Sequence, residues 1–409
     1  MASSVASMIA AALLAALPLA ALPLVENPLL AQQAPPRSVP PRARPQAPPQ
    51  APRQAPPPAP PQAPPQIPEQ TTPFTVGSAT AAPGTTAYGA IAIPAGSDSA
   101  LDIPVAVIRG AKPGPVVAFA AGSHGTEYTS IIAMQRLIGR IDAKALNGTV
   151  IVAPLINVAS FETMTPHLNP IDRKGMNASY PGDPNGTQTP RALAAITQQI
   201  IAPADVVVDL HGGDLDEDLR SYSYWFRTGR AAQDSAALKL IMAFGLDHVI
   251  VTDLDPNAAA AGRSLSGQAI VRGKTVLVAE AGRSGIVALS DVDALVDGSL
   301  GVLGELGMLR RAPRHVARMV WLGGNTAGAR VAADSAGVFI PLVARDARVK
   351  KGQIVGRTTD FLGRPTGDVL APNDGLVTFI RGVPSMWPKA TLVNVLPILP
   401  ILPAWQRPP

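Results

Sequence analysis

The sequence predicts an α/β fold: a mostly parallel, mixed sheet covered by helices on both faces, followed by a small C-terminal all-β module. Apolar runs such as VVAFAAG and VVVDLH alternate with stretches in which apolar residues recur every three or four positions. Strands that alternate with helices indicate parallel pairing, because each crossover supplies a helix that covers the sheet. After about residue 321 the pattern changes to short strands separated by Gly, Pro and Asp-Gly turns, which is typical of an all-β module.

The first segment, residues 1–31, is predicted to be a signal peptide or a short anchor. It is almost wholly apolar, and no charged residue occurs before Glu26. It resembles a secretory signal peptide, although no Lys or Arg precedes the apolar run and Pro18 and Pro23 interrupt it. An uncleaved membrane anchor is the alternative, but the run is at the short limit for spanning a bilayer. The protein is therefore expected to be exported, either periplasmic or secreted, with membrane anchoring as the alternative.

Residues 32–72 are predicted to form a disordered linker rich in Pro, Gln and Arg. The segment shows no apolar periodicity, so no core could offset the entropy lost on ordering it. It contains no acid before Glu69 and is mildly basic, which would allow contact with an anionic cell envelope; a solvated tether is the simpler interpretation. The whole chain has a formal charge of only +5 and no basic stripe with interleaved aromatics, so nucleic acid is not expected as a partner.

The elements of the folded part can be assigned in order from the apolar pattern. The chain has no Cys, so this part depends on its core or on a metal rather than on disulfides. Strands are predicted over residues 73–110, 116–122, 148–158, 205–210, 248–252 and 275–280, and helices over 128–141, 189–201, 231–244 and 289–309. A long loop is predicted from 160 to 186. The predicted organisation is a hydrolase domain at 73–320, a β-rich domain at 321–400 and a tail at 401–409.

A candidate metal site follows the strand VVAFAAG. His124 and Glu127 lie three positions apart in the Gly-rich turn GSHGTE, where a neutral imidazole and a carboxylate could bind one metal ion. Zn²⁺ accepts N and O ligands, and a catalytic site takes three of them from the protein. His211 is the best candidate for the third ligand, because it ends another apolar strand and such strand ends meet at one edge of the sheet. One zinc ion is therefore expected; the alternative is a turn His and a solvated Glu.

Three motifs together, GSHGTE, DLHGG and VLVAEAG, resemble the succinylglutamate desuccinylase/aspartoacylase family of zinc carboxypeptidase-like hydrolases. The resemblance spans roughly residues 85–395 and implies zinc, the zinc carboxypeptidase-like fold and hydrolysis of an acyl bond. Glu280 stands where the family keeps its catalytic Glu, so it is the candidate general base towards a metal-activated water. A solvated Glu at a strand end is the alternative. Asp209 is a candidate to orient the imidazole of His211, or equally to cap a turn.

The substrate loop, HLNPIDRKGMNASYPGD, departs from the family pattern. Asn177 matches the Asn of the pattern, and Tyr180 begins the matching aromatic-Pro-Gly turn. His167 and Ala178, however, stand where the relatives have the two Arg residues that hold the substrate. Neither residue reproduces a guanidinium fork, which suits carboxylates. N-acyl-aspartate and succinylglutamate are therefore doubtful substrates, and neutral or cationic acylated substrates are expected to be preferred.

Other cations are candidates to replace the two missing Arg side chains. Arg173 or Lys174 could do so through a shifted register, and Arg283 follows the Glu280 motif. An acidic run directly after His211 comprises Asp214, Asp216, Glu217 and Asp218. The favoured interpretation of this run is a solvated loop; the alternative is a rim that selects cationic substrates. His248 and His315 are predicted to be ordinary surface or core histidines.

Three classes of function are compatible with these residues. The first is a zinc-dependent hydrolase that cleaves an acyl, amide or ester bond of a small N-acylated substrate. The second is an envelope peptide-trimming metallo-carboxypeptidase or amidase, which Ala178 disfavours because the Arg that would hold a terminal carboxylate is missing. The third is a non-catalytic binding protein that retains the fold, which the intact candidate ligands and Glu280 disfavour.

Overall fold

The structure is a computed structural model that describes residues 71–312, 316 and 318–400. The predicted leader at 1–31, almost all of the linker, His315 and the tail at 401–409 lie outside the described residues. Within the described part of the chain, no helix is both long enough and apolar enough to cross a membrane.

The described residues form six α-helices and twenty β-strands. The helices are α1 (Tyr128–Ile138), α2 (Val158–Thr163), α3 (Gln188–Ile196), α4 (Ala231–Phe244), α5 (Leu265–Val271) and α6 (Leu289–Glu305). The first twelve strands are β1 (Phe74–Val76), β2 (Ala79–Ala81), β3 (Thr85–Ile93), β4 (Leu101–Arg109), β5 (Lys112–Ala121), β6 (Asn147–Ala153), β7 (Val206–His211), β8 (Glu217–Leu219), β9 (Tyr222–Arg227), β10 (His248–Asp253), β11 (Thr275–Glu280) and β12 (Val320–Gly323). The remaining strands are β13 (Arg330–Ala332), β14 (Gly337–Pro341), β15 (Arg348–Val349), β16 (Ile354–Thr359), β17 (Pro365–Leu370), β18 (Gly375–Arg381), β19 (Ser385–Met386) and β20 (Thr391–Leu396).

The four long predicted helices are all present, but two short helices were missed. Helix α2 lies at the start of the segment that was predicted to be a loop, and α5 has only seven residues. Both are too short to show a helical repeat of apolar residues. Each instead has a side-chain cap, in which Asn157 or Ser264 accepts a hydrogen bond from the first turn.

The predicted mostly parallel, mixed sheet is confirmed. Its nine strands lie in the order β12-β10-β9-β11-β7-β5-β6-β4-β3. Five of the eight strand pairs are parallel. The antiparallel pairs are β11 with β9 and the two pairs that β4 makes with β3 and β6. The carboxyl ends of β5, β7 and β11, which are adjacent in the sheet, therefore open on one edge.

Helices cover both faces of this sheet. Successive residues of β5 enter different cores: Val117 and Phe119 pack in the core with α1, α4 and α6, whereas Ala118 and Ala120 pack in the core with α3 and α5. All four side chains are fully buried. A strand buried on both faces reads as a continuous apolar run rather than as an alternating one, which explains the VVAFAA pattern.

The C-terminal module forms two small sheets with their own core, but it is not separate from the domain that contains the large sheet. Strand β8, which follows His211 in the chain, pairs with β18 of the module, so that Leu219 lies opposite Phe379. The predicted boundary at residue 321 falls inside β12, which is the edge strand of the large sheet. The proline-rich segment after β20 then bonds back to β12, where the Leu399 backbone N–H donates to the Trp321 carbonyl at 2.8 Å.

Candidate metal centre and catalytic cavity

The turn after β5 curls His124 and Glu127 together. Glu127 directly precedes α1 and is 2% exposed, and its Oε1 lies 2.6 Å from Nδ1 of His124. Gly125 permits this turn, because a Cβ there would collide with the backbone nitrogen of Phe161 at the packed start of α2. The Gly125 N–H also donates to Oγ of Ser160 at 2.9 Å. The spacing of the two candidate ligands is thus set locally by a turn held against a helix.

His211 reaches the same point from the end of β7. Its Nδ1 lies 3.0 Å from Oε2 of Glu127, and the next backbone N–H, that of Gly212, donates to the same oxygen at 3.1 Å. On the other side of the ring, Oδ1 of the buried Asp209 lies 3.2 Å from Nε2. The ring is therefore oriented so that Nδ1, rather than Nε2, faces Glu127 and His124.

The donor set fits a zinc ion. Nitrogen atoms of His124 and His211 and a carboxylate oxygen of Glu127 lie within 4.8 Å of one another. Burial opposes ionisation of Glu127, but the two imidazoles more than offset this and lower its pKa to about 2. Two imidazoles and one ionised carboxylate are the N and O donors that a catalytic zinc site takes from a protein.

Glu280 ends β11 and lies opposite His211 in the parallel pairing of β11 with β7. Burial raises its pKa to about 8, although the neighbouring His211 favours the charged form. The hydroxyl of Tyr222 donates to its Oε2 at 3.2 Å. A carboxylate whose pKa lies near neutrality, held beside two candidate metal ligands, is suited to accept and return a proton.

A cavity of about 370 Å³ contains all of these groups. One wall is aromatic, because Tyr222, Tyr224 and Phe226 project from the same face of β9. This aromatic wall was not predicted, although the alternation of residues in YSYWFR is a signal for it. The C-terminal module also contributes to the lining, through Arg330, Phe379, Thr391 and Asn394.

The predicted substrate residues are divided between the cavity and other parts of the fold. Asn177 lines the cavity from a short 3-10 turn, Met176–Ala178. Tyr180 is 4% exposed and packs in the core that also contains Leu193 and Ile196 of α3. Arg173 and Arg283 are exposed, and neither is among the residues that line the cavity. The structure therefore does not support a substrate contact for these three side chains.

His167 lies beside the candidate metal centre, with its ring centroid 5.6 Å from that of His124. Its Nδ1 is 3.2 Å from Asp214 and its Nε2 is 3.2 Å from Asp216. Although burial alone would lower it, these acids raise the pKa of His167 to about 9. Ala178 is the second position at which the family pattern has an Arg. The guanidinium of Arg263 lies next to it and donates a hydrogen bond to the Ala178 backbone carbonyl at 2.6 Å.

The acidic run after His211 is not a solvated loop, contrary to the favoured interpretation. Asp214 is fully buried and accepts hydrogen bonds from the Thr126 hydroxyl and, at 2.6 Å, from the Leu215 N–H. Asp216 accepts from Nη1 of Arg381, in the module, at 2.7 Å. Asp214 is thus buried and the other three acids are half-buried, because β8 pairs with β18 of the module. A run of acids in the sequence does not predict this pairing.

Glu217 is the one member of the acidic run that lines the cavity. Its Oε2 accepts a hydrogen bond from the Asp214 backbone N–H at 3.2 Å. Burial raises the pKa of Glu217 to about 7, although His167 nearby acts in the opposite direction. The alternative interpretation of the run was an acidic rim that selects cationic substrates. Of the four acids, Glu217 alone lies where it could contribute to such a rim.

Comparisons with known proteins agree with this geometry. Residues 113–306 match the family described as succinylglutamate desuccinylase/aspartoacylase catalytic domain. The chain is 28% identical over 305 residues to N-alpha-acetyl-L-2,4-diaminobutyric acid deacetylase from Halomonas elongata, a match that covers 72% of this chain and 86% of the relative.

Two solved structures have a fold similar to that of this chain. A succinylglutamate desuccinylase/aspartoacylase from Rhodobacter sphaeroides is 25% identical, with a TM-score of 0.69 over 77% of this chain and 96% of its own. The ectoine utilization protein EutE from Ruegeria pomeroyi is 22% identical, with a TM-score of 0.71 over 81% of this chain and 99% of its own, and shows the fold alone. The resemblance that three short motifs predicted is confirmed.

Proposed function

We propose that this chain, whose residues 113–306 match the succinylglutamate desuccinylase/aspartoacylase catalytic domain, is a zinc-dependent hydrolase that removes the acyl group from a small N-acylated substrate. The observation that carries the proposal is that His124, Glu127 and His211 converge in the same cavity as Glu280. An amide bond is the expected target, and an ester of the same shape is accepted by the same chemistry.

His124, Glu127 and His211 would hold the metal, the two histidines through Nδ1. Asp209 would support the site from Nε2 of His211, because a partner on the far ring nitrogen fixes the orientation of a ligating imidazole. When bound, Zn²⁺ polarises a carbonyl, lowers the pKa of a water to about 7 and favours the ionised form of a neighbouring carboxylate.

Glu280 would act as the general base and then as the general acid. Its carboxylate takes a proton from the attacking water and delivers it to the nitrogen of the departing amine. The Tyr222 hydroxyl holds one carboxylate oxygen at 3.2 Å, which fixes the direction of the other. Tyr224 and Phe226 line the same cavity, and their aromatic rings would reduce the access of bulk water to this exchange.

The cavity size supports a small substrate. A volume of about 370 Å³ lies in the range of pockets that enclose small molecules rather than extended peptides. The C-terminal module adds Arg330, Phe379, Thr391 and Asn394 to the lining and so limits the room for a larger substrate. A free amine and a short carboxylic acid are therefore the expected products.

The test is a comparison of Glu280→Gln with wild type on a panel of N-acyl amino acids, N-acyl amines, short peptides and esters, with zinc content measured in parallel. The variant should retain zinc and lose about 10²- to 10⁴-fold in kcat, the usual effect of removing a general base. The exposed Glu162→Gln, in α2, is the matched control and should retain full turnover. Removing zinc with a chelator should abolish turnover, and adding zinc back should restore it.

Two outcomes would contradict the proposal. Wild-type turnover in Glu280→Gln of verified zinc content would remove Glu280 from the mechanism. Failure of the zinc-loaded wild type to hydrolyse any compound of the panel would favour a binding protein that retains the fold.

A further inference from the structure

His167 lies between two carboxylates, beside the candidate metal centre. Oδ2 of Asp214 lies 3.2 Å from its Nδ1 and also accepts the His167 backbone N–H at 3.2 Å. On the other side of the ring, Nε2 lies 3.2 Å from Oδ1 of Asp216. Asp214 is fully buried and is itself held by the Thr126 hydroxyl and the Leu215 N–H. One ring nitrogen is therefore held by a fixed carboxylate, and the other faces Asp216.

Glu217 joins this group from the next position in the chain. One ligand atom each of His167, Asp216 and Glu217 lie within 4.8 Å of one another, close enough for a single ion to draw all three into contact. The Asp214 N–H donates to Oε2 of Glu217 at 3.2 Å, and among the described residues no donor reaches Oε1. One imidazole and two carboxylates are N and O donors that a divalent transition-metal ion accepts.

The support behind the His167 ring repeats a feature of the first candidate centre. There, Asp209 contacts Nε2 of His211 while Nδ1 faces the other candidate ligands. Here, Asp214 contacts Nδ1 of His167 while Nε2 faces Asp216. A carboxylate on the far ring nitrogen fixes the orientation of a ligating imidazole and makes it a better ligand. His167 is thus supported in the same way as a histidine that binds a metal.

The acids in and around the cavity outnumber the cations. Four carboxylates line the cavity and two more contact His167; these are Glu127, Asp209, Glu217 and Glu280, then Asp214 and Asp216. Among the described residues, the guanidinium that lines the cavity is that of Arg330, and the one that pairs with these acids is that of Arg381, which donates to Oδ2 of Asp216 at 2.7 Å. With all six acids ionised and the histidines neutral, an excess of four negative charges remains. One zinc ion offsets two of them, and a second divalent ion would offset the other two.

Another combination of His167 with its neighbours is less suited to a metal. His124, His167 and Asp214 also lie within 4.8 Å of one another. His124, however, is a candidate ligand of the first centre. Asp214 accepts hydrogen bonds from Thr126, from Leu215 and from the His167 backbone. The group that contains Glu217 is therefore the one with a carboxylate oxygen available.

We propose that His167, Asp216 and Glu217 bind a second divalent cation beside the catalytic cavity. The acids that favour a proton on His167 favour a metal ion for the same reason, and the ion would take the place of that proton. Arg381 would hold Oδ2 of Asp216 and leave Oδ1 for the ion. The ion would place a positive charge at His167, one of the two positions at which the family pattern has an Arg. This inference goes beyond the proposed function, because it concerns metal binding and not hydrolysis.

The first test measures the zinc stoichiometry of the full chain, with Zn²⁺ as the probe. Metal-free protein is titrated with zinc in competition with a chromogenic chelator. Wild type should bind two equivalents, whereas His167→Gln and Glu217→Gln should each bind one, with the affinity of the first equivalent unchanged. His248→Gln is the matched control, because the His248 ring contacts Arg220 and Asp247 outside the cavity, and it should bind two equivalents.

The second test locates the ions in a crystal structure of wild type grown with zinc, from anomalous scattering at the zinc edge. A second peak should lie about 2.0–2.2 Å from Nε2 of His167 and from carboxylate oxygens of Asp216 and Glu217. A single peak at the first centre, a second peak elsewhere, or a second equivalent bound equally by His167→Gln and wild type would overturn the inference. The map decides the question even if a variant does not fold.

These outcomes are distinguishable from failure of the proposed function. A protein that binds two ions at these positions but hydrolyses no N-acyl compound retains the second site and loses the hydrolase function. A protein that hydrolyses such a compound with one bound ion retains the function and loses the second site.

Discussion

At the scale of the single residue, Asp209 would act on the metal site through the imidazole of His211. It is 1% exposed, and its Oδ1 lies 3.2 Å from Nε2 of His211, on the side of the ring away from Glu127. Two strand residues of the same face, 209 and 211, thus place a carboxylate and an imidazole next to each other. The DLH motif therefore contains both a candidate ligand and the group that orients it.

Replacing Asp209 with Asn should weaken zinc binding about 10- to 100-fold, because the imidazole loses the charge that orients it and makes it a better ligand. Competition with a chromogenic chelator measures the zinc affinity. Asp102→Asn, an exposed position of β4, is the control and should leave it unchanged. Equal zinc affinity in Asp209→Asn and wild type would show that Asp209 only fills space in the core.

At the scale of the element, helix α6 contains glycines that an isolated helix would disfavour. Each costs about 1 kcal/mol relative to Ala in a helix interior. Gly298 lies against the ring of Phe244, and Gly301 lies against the carbonyl of Ala243, so the two residues allow α6 to approach α4 closely. The apolar period of residues 289–309 predicted the helix correctly, and the contact explains why its glycines are tolerated.

The variant Gly301→Ala should lower the free energy of unfolding by about 1–3 kcal/mol, even though Ala is the better helix former. The added Cβ collides with the Ala243 carbonyl, and relieving the collision separates the two helices. Urea denaturation measures the effect. Gly139→Ala is the control: its φ is −74° and the nearest atom to a Cβ there is 3.8 Å away, so it should be neutral or stabilising by about 0.4–1 kcal/mol. Similar effects of the two substitutions would refute the close-approach explanation.

At the scale of the whole molecule, the catalytic sheet and the C-terminal module share a junction. Tyr222, Ile250 and Leu322 of the large sheet pack with Leu376 and Leu396 of the module in one buried cluster. Polar contacts surround this cluster. Arg220 of the catalytic domain donates to Asp247 at 2.6 Å and to Asp346 of the module at 3.0 Å, and its guanidinium also contacts His248 at 3.1 Å. His248 is thus part of an ordinary structural network, as its sequence context predicted.

The Arg381–Asp216 pair is the most buried ionic link of this junction. Arg381 is 2% exposed, donates to Asp216 at 2.7 Å and lies over the ring of Trp387 with its guanidinium carbon 4.3 Å from the ring centroid. The variant Arg381→Met should lower the free energy of unfolding by about 3 kcal/mol, because the half-buried Asp216 carboxylate would keep only the His167 imidazole as a cationic partner. Adding Asp216→Asn to this variant should recover part of the loss.

Urea denaturation of both single variants and the double variant measures this coupling. Arg357→Met, which breaks an exposed pair on the same module, is the control and should cost no more than about 1 kcal/mol. A cost for Arg381→Met as small as that of the control would mean that the junction depends on its apolar cluster alone.

Local patterns in the sequence determined most of what lies within one element or one turn. The apolar runs predicted the parallel strands because a strand buried on both faces shows no alternation. The spacing of three positions between His124 and Glu127 predicted two candidate ligands in one turn, and the VVVDLH and VLVAEAG runs placed His211 and Glu280 at neighbouring strand ends. The family resemblance followed from the same short segments, since they contain both the chemistry and the strand that positions it.

Only the tertiary structure decided which groups face the cavity from a distance. Arg330 is far from His124 in the chain, and no local period links them, yet the pairing of β8 with β18 brings the module against the site. The acids of this segment are buried or half-buried, and Glu217 is the one of them that lines the cavity. Tyr180 turned inwards because packing against α3 directs its ring. Sequence periodicity specifies which face of an element is apolar, whereas the partner of that face is chosen by contacts between segments that lie far apart in the chain.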